Sequence, residues 1–241
     1  MQGYGVTDVG KLRKENQDYY LLELGVITGT DLVVVCDGMG GLRGGSVASS
    51  LASEVFAEEV KSRIAMGEEP VALLRAAVGA ANESLYRRSE EDLDCQGMGT
   101  TLVGGIFTEH ESILVNVGDS RAYLVRDGNI NRLTRDHSLV EELVRAGEIT
   151  RDQARTHPRR NLITRAIGIE PSVECDVFTP DIESGDTLLF CTDGLCSEFS
   201  DEELCELIES ERDLKKCCEL LVDMTLRRGA PDNVTVVMLR A

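Results

Sequence analysis

Acidic residues stand in this chain where short apolar runs stop. Leu32-Val33-Val34-Val35-Cys36 leads into Asp37-Gly38-Met39-Gly40-Gly41, and Leu188-Leu189-Phe190-Cys191-Thr192 leads into Asp193-Gly194. Ile113-Leu114-Val115-Asn116-Val117-Gly118 ends in Asp119, and Asp232-Asn233 immediately precedes Val234-Thr235-Val236-Val237-Met238-Leu239. Valine-rich runs of this length read as buried strands. A single Asp-Gly is also the commonest hairpin signal, so one case decides nothing. Four aspartates at the ends of core strands would converge if those strands pack together. Convergent carboxylates repel one another and are costly to bury unpaired. A hard divalent cation relieves both problems, and an all-oxygen donor set suits Mg²⁺ or Mn²⁺.

The elements that must position these acids can be read from periodicity. Residues 3–24 read as two short strands around a dense polar turn, 7–18. After the glycines, Val47, Leu51, Val55 and Val60 fall near one helical face. A second helix is predicted from about 70 to 89, opened by Pro70, with Val71, Leu74, Val78, Ala81 and Leu85 on one side. Strands follow at 100–107, 113–118 and 121–126, and 126–129 reads as a turn. The segment 135–165 is polar, carries two of the three histidines and holds short helical pieces. Within it Thr150-Arg151-Asp152-Gln153 has the form of a capping box. Strands resume near 173 and 186. Ser200-Asp201-Glu202-Glu203 is a second capping box opening a helix to about 210, and a last helix, 214–228, is closed by Gly229. This order lacks the strict alternation of a doubly wound sheet and reads as α+β, one domain over 1–241.

Composition narrows the partners. A net charge of −18 argues against nucleic acid, whose phosphates need a basic face. No apolar run approaches the roughly 18 residues that span a bilayer, and the first residues carry neither a basic stretch nor an apolar one. The expectations are a cytoplasmic, monomeric protein with no membrane span. The 8 cysteines form no C-x-x-C pair and read as reduced, buried small hydrophobes rather than zinc ligands.

Eight motifs in order resemble the metal-dependent serine/threonine protein phosphatases of type 2C, the PPM family, in their bacterial form. They are Thr7-Asp8-Val9-Gly10 through Arg13 to Asn16-Gln17-Asp18, Asp37-Gly38-Met39-Gly40-Gly41, Gly97-Met98-Gly99-Thr100-Thr101, and Gly118-Asp119-Ser120-Arg121-Ala122-Tyr123. The series continues with Thr134-Arg135-Asp136-His137-Ser138, His157-Pro158-Arg159-Arg160-Asn161, Thr192-Asp193-Gly194-Leu195 and Asp232-Asn233-Val234-Thr235. The resemblance implies a four-layer α-β-β-α sandwich of two antiparallel sheets flanked by helix pairs, with a flap at about 136–165 beside a cleft. It implies that Asp37 bridges two Mn²⁺ or Mg²⁺ ions. Asp193 and Asp232 would hold the first, and the Gly38 carbonyl with waters the second. Asp18 would steady those waters, and Asp119 with Asp193 would offer a third, weaker site. The reaction would be hydrolysis of phosphoserine and phosphothreonine by in-line attack of a hydroxide shared by the two ions. The substrates would be phosphoproteins of a partnering serine/threonine kinase.

Arg13 is the natural phosphate clamp, because a guanidinium grips two oxygens at once; its plainer reading is a solvated surface arginine. Two departures from eukaryotic members matter. Met39 stands where they carry a histidine proposed as proton donor, and Gln17 replaces an acid. Cys36 and Cys191 lack the amide-rich loop and following arginine of a cysteine phosphatase. The remaining alternatives are a non-catalytic phosphoprotein-binding or sensing domain of the same fold and a hydrolase of small phosphoesters. The presence of Asp37, Asp193 and Asp232 together speaks against the first, and the lack of a phosphate-loop or dinucleotide motif gives the second no support.

Overall fold

Successive strand side chains point to opposite faces, so a strand buried on both sides reads as a continuous apolar run. Asp31–Met39 (β3) is such a strand: Leu32, Val34 and Cys36 enter one core while Val33 and Val35 enter another. The computed structural model describes residues 1–27, 29–40 and 44–241, and Gly41 of the glycine turn lies outside them. One sheet has the order Gln2–Asp8 (β1), Val234–Arg240 (β11), Thr187–Cys191 (β10), Arg121–Arg126 (β7), Asn129–Arg132 (β8). The other runs Asp18–Glu23 (β2), β3, Leu102–Phe107 (β5), Ser112–Val117 (β6), Asp176–Phe178 (β9), with Gly99–Thr100 (β4) on the end of β3. Every pairing among them is antiparallel.

The sheets pack face to face through Val33, Val35, Val103 and Phe107 on one side and Leu188, Phe190, Val237 and Leu239 on the other. Phe107 meets Phe190 edge-on, with ring centroids 6.1 Å apart and an interplanar angle of 76°. Gly44–Ala65 (α1) and Pro70–Glu91 (α2) cover the outer face of the β3 sheet. Asp193–Cys196 (α5), Asp201–Ser210 (α6) and Leu214–Arg228 (α7) cover the outer face of the other. The result is the expected α-β-β-α sandwich. Leu139–Arg145 (α3) and Arg151–Arg155 (α4) lie in the segment 136–165. All eight cysteines are free and buried, and among the described residues no helix is long and apolar enough to cross a membrane.

Helix ends follow the sequence signals closely. Both capping boxes form, Thr150 with Gln153 and Ser200 with Glu203. Pro70 opens α2, and Gly229 closes α7 in the left-handed conformation. Two readings need correction, and one strand goes beyond them. The buried face of α1 is Ala48, Ser49, Ala52, Ser53, Phe56 and Ala57 with Val60, whereas Val47, Leu51 and Val55 are only half-buried. Small residues let α1 approach β3 and α2 closely, and alanine and serine are too weakly apolar to dominate a periodicity. The strand expected at 100–107 breaks at Thr101, between β4 and β5. The turn at 126–129 is a hairpin, with Asp127 and Gly128 both at positive φ, and it leads into the unforeseen strand β8.

Candidate active site

The aspartates gather at one edge of the sandwich, but not by ending strands in one common way. Asp37 lies inside β3, directly opposite Asp18 of β2 in the register of the pair. The Asp37-Gly38 pair is therefore no hairpin: the strand continues through Met39, where Gly38 and Met39 pair with β4. A Cβ on Gly38 would come 2.0 Å from the Gly45 carbonyl oxygen, so glycine alone lets the start of α1 press against this strand. The Asp37 main chain is fully used. Its N–H donates to the Thr101 hydroxyl at 2.9 Å, and its carbonyl accepts from the Thr101 N–H and the Thr100 hydroxyl, each at 2.9 Å. Backbone and carboxyl are thereby separated in function, the first anchoring and the second turned to Asp193.

Asp193 is reached differently. β10 stops at Cys191, and Asp193 is the first residue of the short helix α5. Gly194 packs so tightly on the loop before β11 that a Cβ there would lie 1.9 Å from the Asn233 carbonyl oxygen. That contact places Asp193 beside Asp232. Asn233 staples the surrounding loop: its carboxamide oxygen accepts from the Gln17 N–H at 2.8 Å, and its amide donates to the carbonyls of Val9 and Glu15 at 2.9 and 3.0 Å. Asp119 follows β6, and Ser120 beside it shares a 2.7 Å hydrogen bond with Thr101.

Asp18 sits deepest, 6% exposed. The hydroxyls of Thr192 and Thr235 donate to its Oδ2 at 2.8 and 2.7 Å. The donor order continues outward: Asn16 donates to Thr7 at 2.8 Å, and Thr7 and Thr235 share a 2.7 Å bond. With Thr235 committed to Asp18, Thr7 must donate to Thr235. The other oxygen, Oδ1, is buried with no hydrogen-bond partner, an unusual state for a buried acceptor. Thr192 and Thr235 were missed as site residues on sequence grounds. The available signal was a polar side chain at the buried end of each apolar run.

Crowding dominates the electrostatics. Burial, then the charges of Asp18, Asp193, Asp119 and Asp232, hold the Asp37 carboxyl well above the usual carboxylate range. Burial pushes Asp18 up to about 7 against the pull of its two threonine hydroxyls. Asp119 rises to about 8, by burial and then Asp193, and Asp193 to about 6, by burial and then Asp232. Arg121 opposes both of the last two shifts.

Arg13 is exposed on the β1–β2 loop, and its Nη2 donates to Asp232 Oδ2 at 2.7 Å. It thus faces the acids rather than bulk solvent alone. The segment 136–165 is pinned at its base, where the Thr164 N–H donates to the His137 carbonyl at 2.8 Å and Ser138 bridges Ile163. His137 is buried and its Nδ1 accepts from the Gly118 N–H at 3.1 Å, while His157 Nδ1 accepts from the Arg159 N–H in its own turn at 3.2 Å. Met39 lines a groove of about 310 Å³ with residues 163–166, 169, 170 and 172–174.

The model of the protein phosphatase 2C family matches residues 12–228. The chain belongs to that family. It is 38% identical over 238 residues to the serine/threonine phosphatase Stp of Listeria monocytogenes, covering 97% of this chain and 93% of that one. The crystal structure of the Mycobacterium tuberculosis serine/threonine phosphatase PstP/Ppp superposes with a TM-score of 0.89 at 36% identity, covering 98% of this chain and 97% of that chain. The PstP catalytic domain in complex with 2 manganese ions superposes with a TM-score of 0.84 at 35% identity, covering 98% of this chain and 96% of that chain. The protein phosphatase 2C family consists of metal-dependent serine/threonine phosphatases, and this chain is one by membership.

Proposed function

We propose that the chain hydrolyses phosphoserine and phosphothreonine in proteins at the acidic edge described above, with two Mn²⁺ or Mg²⁺ ions held there. The observation that carries this reading is the position of Asp37, within electrostatic range of four other aspartates and on a backbone fully anchored elsewhere. A cleft of mutually repelling carboxyls cannot receive a phosphate dianion by itself. The residues fit divalent cations. The donors are all oxygen, and Asp18 offers a buried oxygen with no partner. Among the described residues no three histidine, cysteine or acidic side chains close into an all-protein cage. Small hard cations keep several waters and need no such cage.

Bound cations would supply Lewis acidity that activates water and neutralises charge on the transferring phosphoryl group. In this assignment Asp37 would hold both cations, Asp193 and Asp232 would help hold one, and the Gly38 carbonyl would help hold the other. Asp18, locked by Thr192 and Thr235, orients the surrounding water. Asp119 with Asp193 offers a third, weaker position. Met39 has no proton to give the leaving alcohol, and the Nε2 of buried His137 is turned to Asp176 at 3.4 Å, so we assign proton delivery to solvent in the cleft. Phosphopeptide hydrolysis should vanish in chelator and return with Mn²⁺; protein inactive across a range of Mn²⁺ concentrations would overturn the enzyme reading. A nucleotide hydrolysed faster than any phosphopeptide would redirect the substrate assignment.

Arg13 would leave Asp232 for the incoming phosphate once a cation takes that carboxylate. The exchange swaps one charge-assisted bond for another, so Arg13 serves substrate and transition state alike. Arg13→Ala should then raise KM for phosphopeptides by about tenfold and lower kcat by less, since a clamp used equally in both states acts on KM. An unchanged KM would return Arg13 to the solvated surface. We assign the substrates to the phosphoproteins of a partnering serine/threonine kinase and the segment 136–165 to the flap beside the cleft.

A further inference from the structure

The motif Thr134-Arg135-Asp136-His137-Ser138 finds no role in the chemistry above, yet its aspartate is buried. Asp136 is 8% exposed and receives two of the three nitrogens of the Arg121 guanidinium. Arg121 Nε donates to its two oxygens at 3.0 and 3.2 Å, and Nη2 donates at 2.7 Å. The remaining Nη1 donates to the hydroxyl of fully buried Tyr123 at 3.0 Å. Arg132 adds a longer contact to Asp136 at 3.5 Å and reaches Glu141 of α3 at 3.1 Å.

The position of this guanidinium is telling. Arg121 lies two residues after Asp119, and it pairs in register with Cys191, two residues before Asp193. It therefore lies close enough to act on both carboxyls assigned to the third cation. The simplest partner for it would be Asp119, but its Nε and Nη2 donate to Asp136 and its Nη1 to Tyr123. Asp119 thus has a positive charge nearby that donates its hydrogen bonds elsewhere. Arg121 opposes the upward shift of both acids, whereas Asp136 adds to that of Asp119 and so counters the guanidinium there. A buried bidentate arginine–carboxylate pair is rigid and strongly oriented, so the charge is held at a constant distance.

We propose that Arg121, positioned by Asp136, sets the cation affinity of the Asp119–Asp193 position and keeps it low. This rests on the assignment of a third cation to those two acids. Asp136 acts in two ways: it draws the guanidinium off Asp119, leaving the carboxyl open, and it offsets part of the guanidinium charge. Loss of the Asp136 charge weakens the site on both counts. Loss of both charges removes the opposing cation and tightens it.

The test is calorimetric titration of Mn²⁺ into the full chain, with melting temperature measured on each variant. Wild type should show a weak step beyond the tight ones, and Asp119→Ala should abolish that weak step alone. Asp136→Asn should raise the weak dissociation constant about tenfold, and the double variant Arg121→Gln with Asp136→Asn should lower it about tenfold. That is the size expected when a unit charge acts on a divalent ion at about 6 Å under the near-aqueous screening of a hydrated cleft, an effective dielectric of about 80. A merely structural pair would move melting temperature in both variants and would not move the weak step in opposite directions. A weak step absent from wild type, or surviving in Asp119→Ala, overturns the third-cation assignment. A weak step lost in Asp119→Ala but unmoved by the amide variants, or moved the same way by both, overturns the role of Arg121. If either amide variant fails to fold, the other decides alone: Asp136→Asn must weaken the step and the double variant must tighten it.

Discussion

Asp37→Asn should lose about a thousandfold or more in phosphopeptide turnover while the fold survives. The asparagine keeps the shape of the aspartate, and the main chain is held by Thr100 and Thr101 irrespective of the side chain. What disappears is the charge that would be shared between two cations, whose transition-state stabilisation is worth several kcal/mol, each 1.36 kcal/mol being roughly tenfold in rate. In chelator the variant should melt higher than wild type at pH 8, because Asp37 stands against Asp18, Asp193, Asp119 and Asp232. The new carboxamide N–H groups can also donate to those neighbours. Kinetics with Mn²⁺ and thermal melts in chelator check the two halves. Full turnover, or undiminished Mn²⁺ affinity, would refute the bridging role; a lower melting point in chelator would refute the electrostatic account.

The metal-free protein should lose stability as pH rises from 5 to 8.5, and Mn²⁺ should abolish that loss. Asp193, Asp18 and Asp119 are raised to about 6, about 7 and about 8. A carboxyl with a raised folded value keeps its proton in the native state where the unfolded chain has lost it. Its contribution is therefore full below the unfolded value and declines until pH passes the folded value. Acids with lowered values, such as Asp176 and Asp186 beside arginines, act the other way and complete their gain at more acidic pH. Above pH 5 the site acids set the trend, with buried His137, held below its usual value by burial, acting against it up to about pH 6.5. For Asp18 alone the shift of about three units corresponds to something on the order of 4 kcal/mol at full ionisation. That is on the order of 10 °C in melting temperature for a domain of this size. The shifts of the acids share the same pairwise repulsions and do not add. Saturating Mn²⁺ favours the ionised carboxyls and should leave the profile flat or rising. A flat profile in chelator would show the acids to be farther apart or better solvated than described.

Much of this was legible in the sequence because it rests on local physics. The capping boxes at Thr150 and Ser200, Pro70 at the start of α2 and Gly229 after α7 each concern a few neighbouring residues, and each appears where expected. The apolar runs of β3, β10 and β11 are continuous because both faces are buried. What was illegible depends on partners distant in sequence. The face of α1 is written in alanine and serine, whose burial reflects close approach to β3 and α2. Asp37 reads as the end of a strand because glycine follows it, and only pairing with β4 shows the strand continuing. Thr192 and Thr235 look like ordinary strand residues until Asp18 is placed between them, and Arg121 looks like the partner of Asp119 until Asp136 takes its fork.

The clamp on Asp18 carries one more consequence. Asp18 belongs to one sheet, whereas Thr192 and Thr235 belong to the end of β10 and to β11 of the other. The carboxyl that borders the chemistry is therefore also a rivet between the two halves of the sandwich. Ion occupancy and inter-sheet docking become two readings of one equilibrium, and thermodynamic linkage makes the effect mutual. Tightening the apolar interlayer around Phe107 and Phe190 should raise affinity for divalent ions at a site those rings never touch. Loading the ions should in turn slow amide exchange along β2 and β11, so that the interlayer works as a remote adjustment of the catalytic edge.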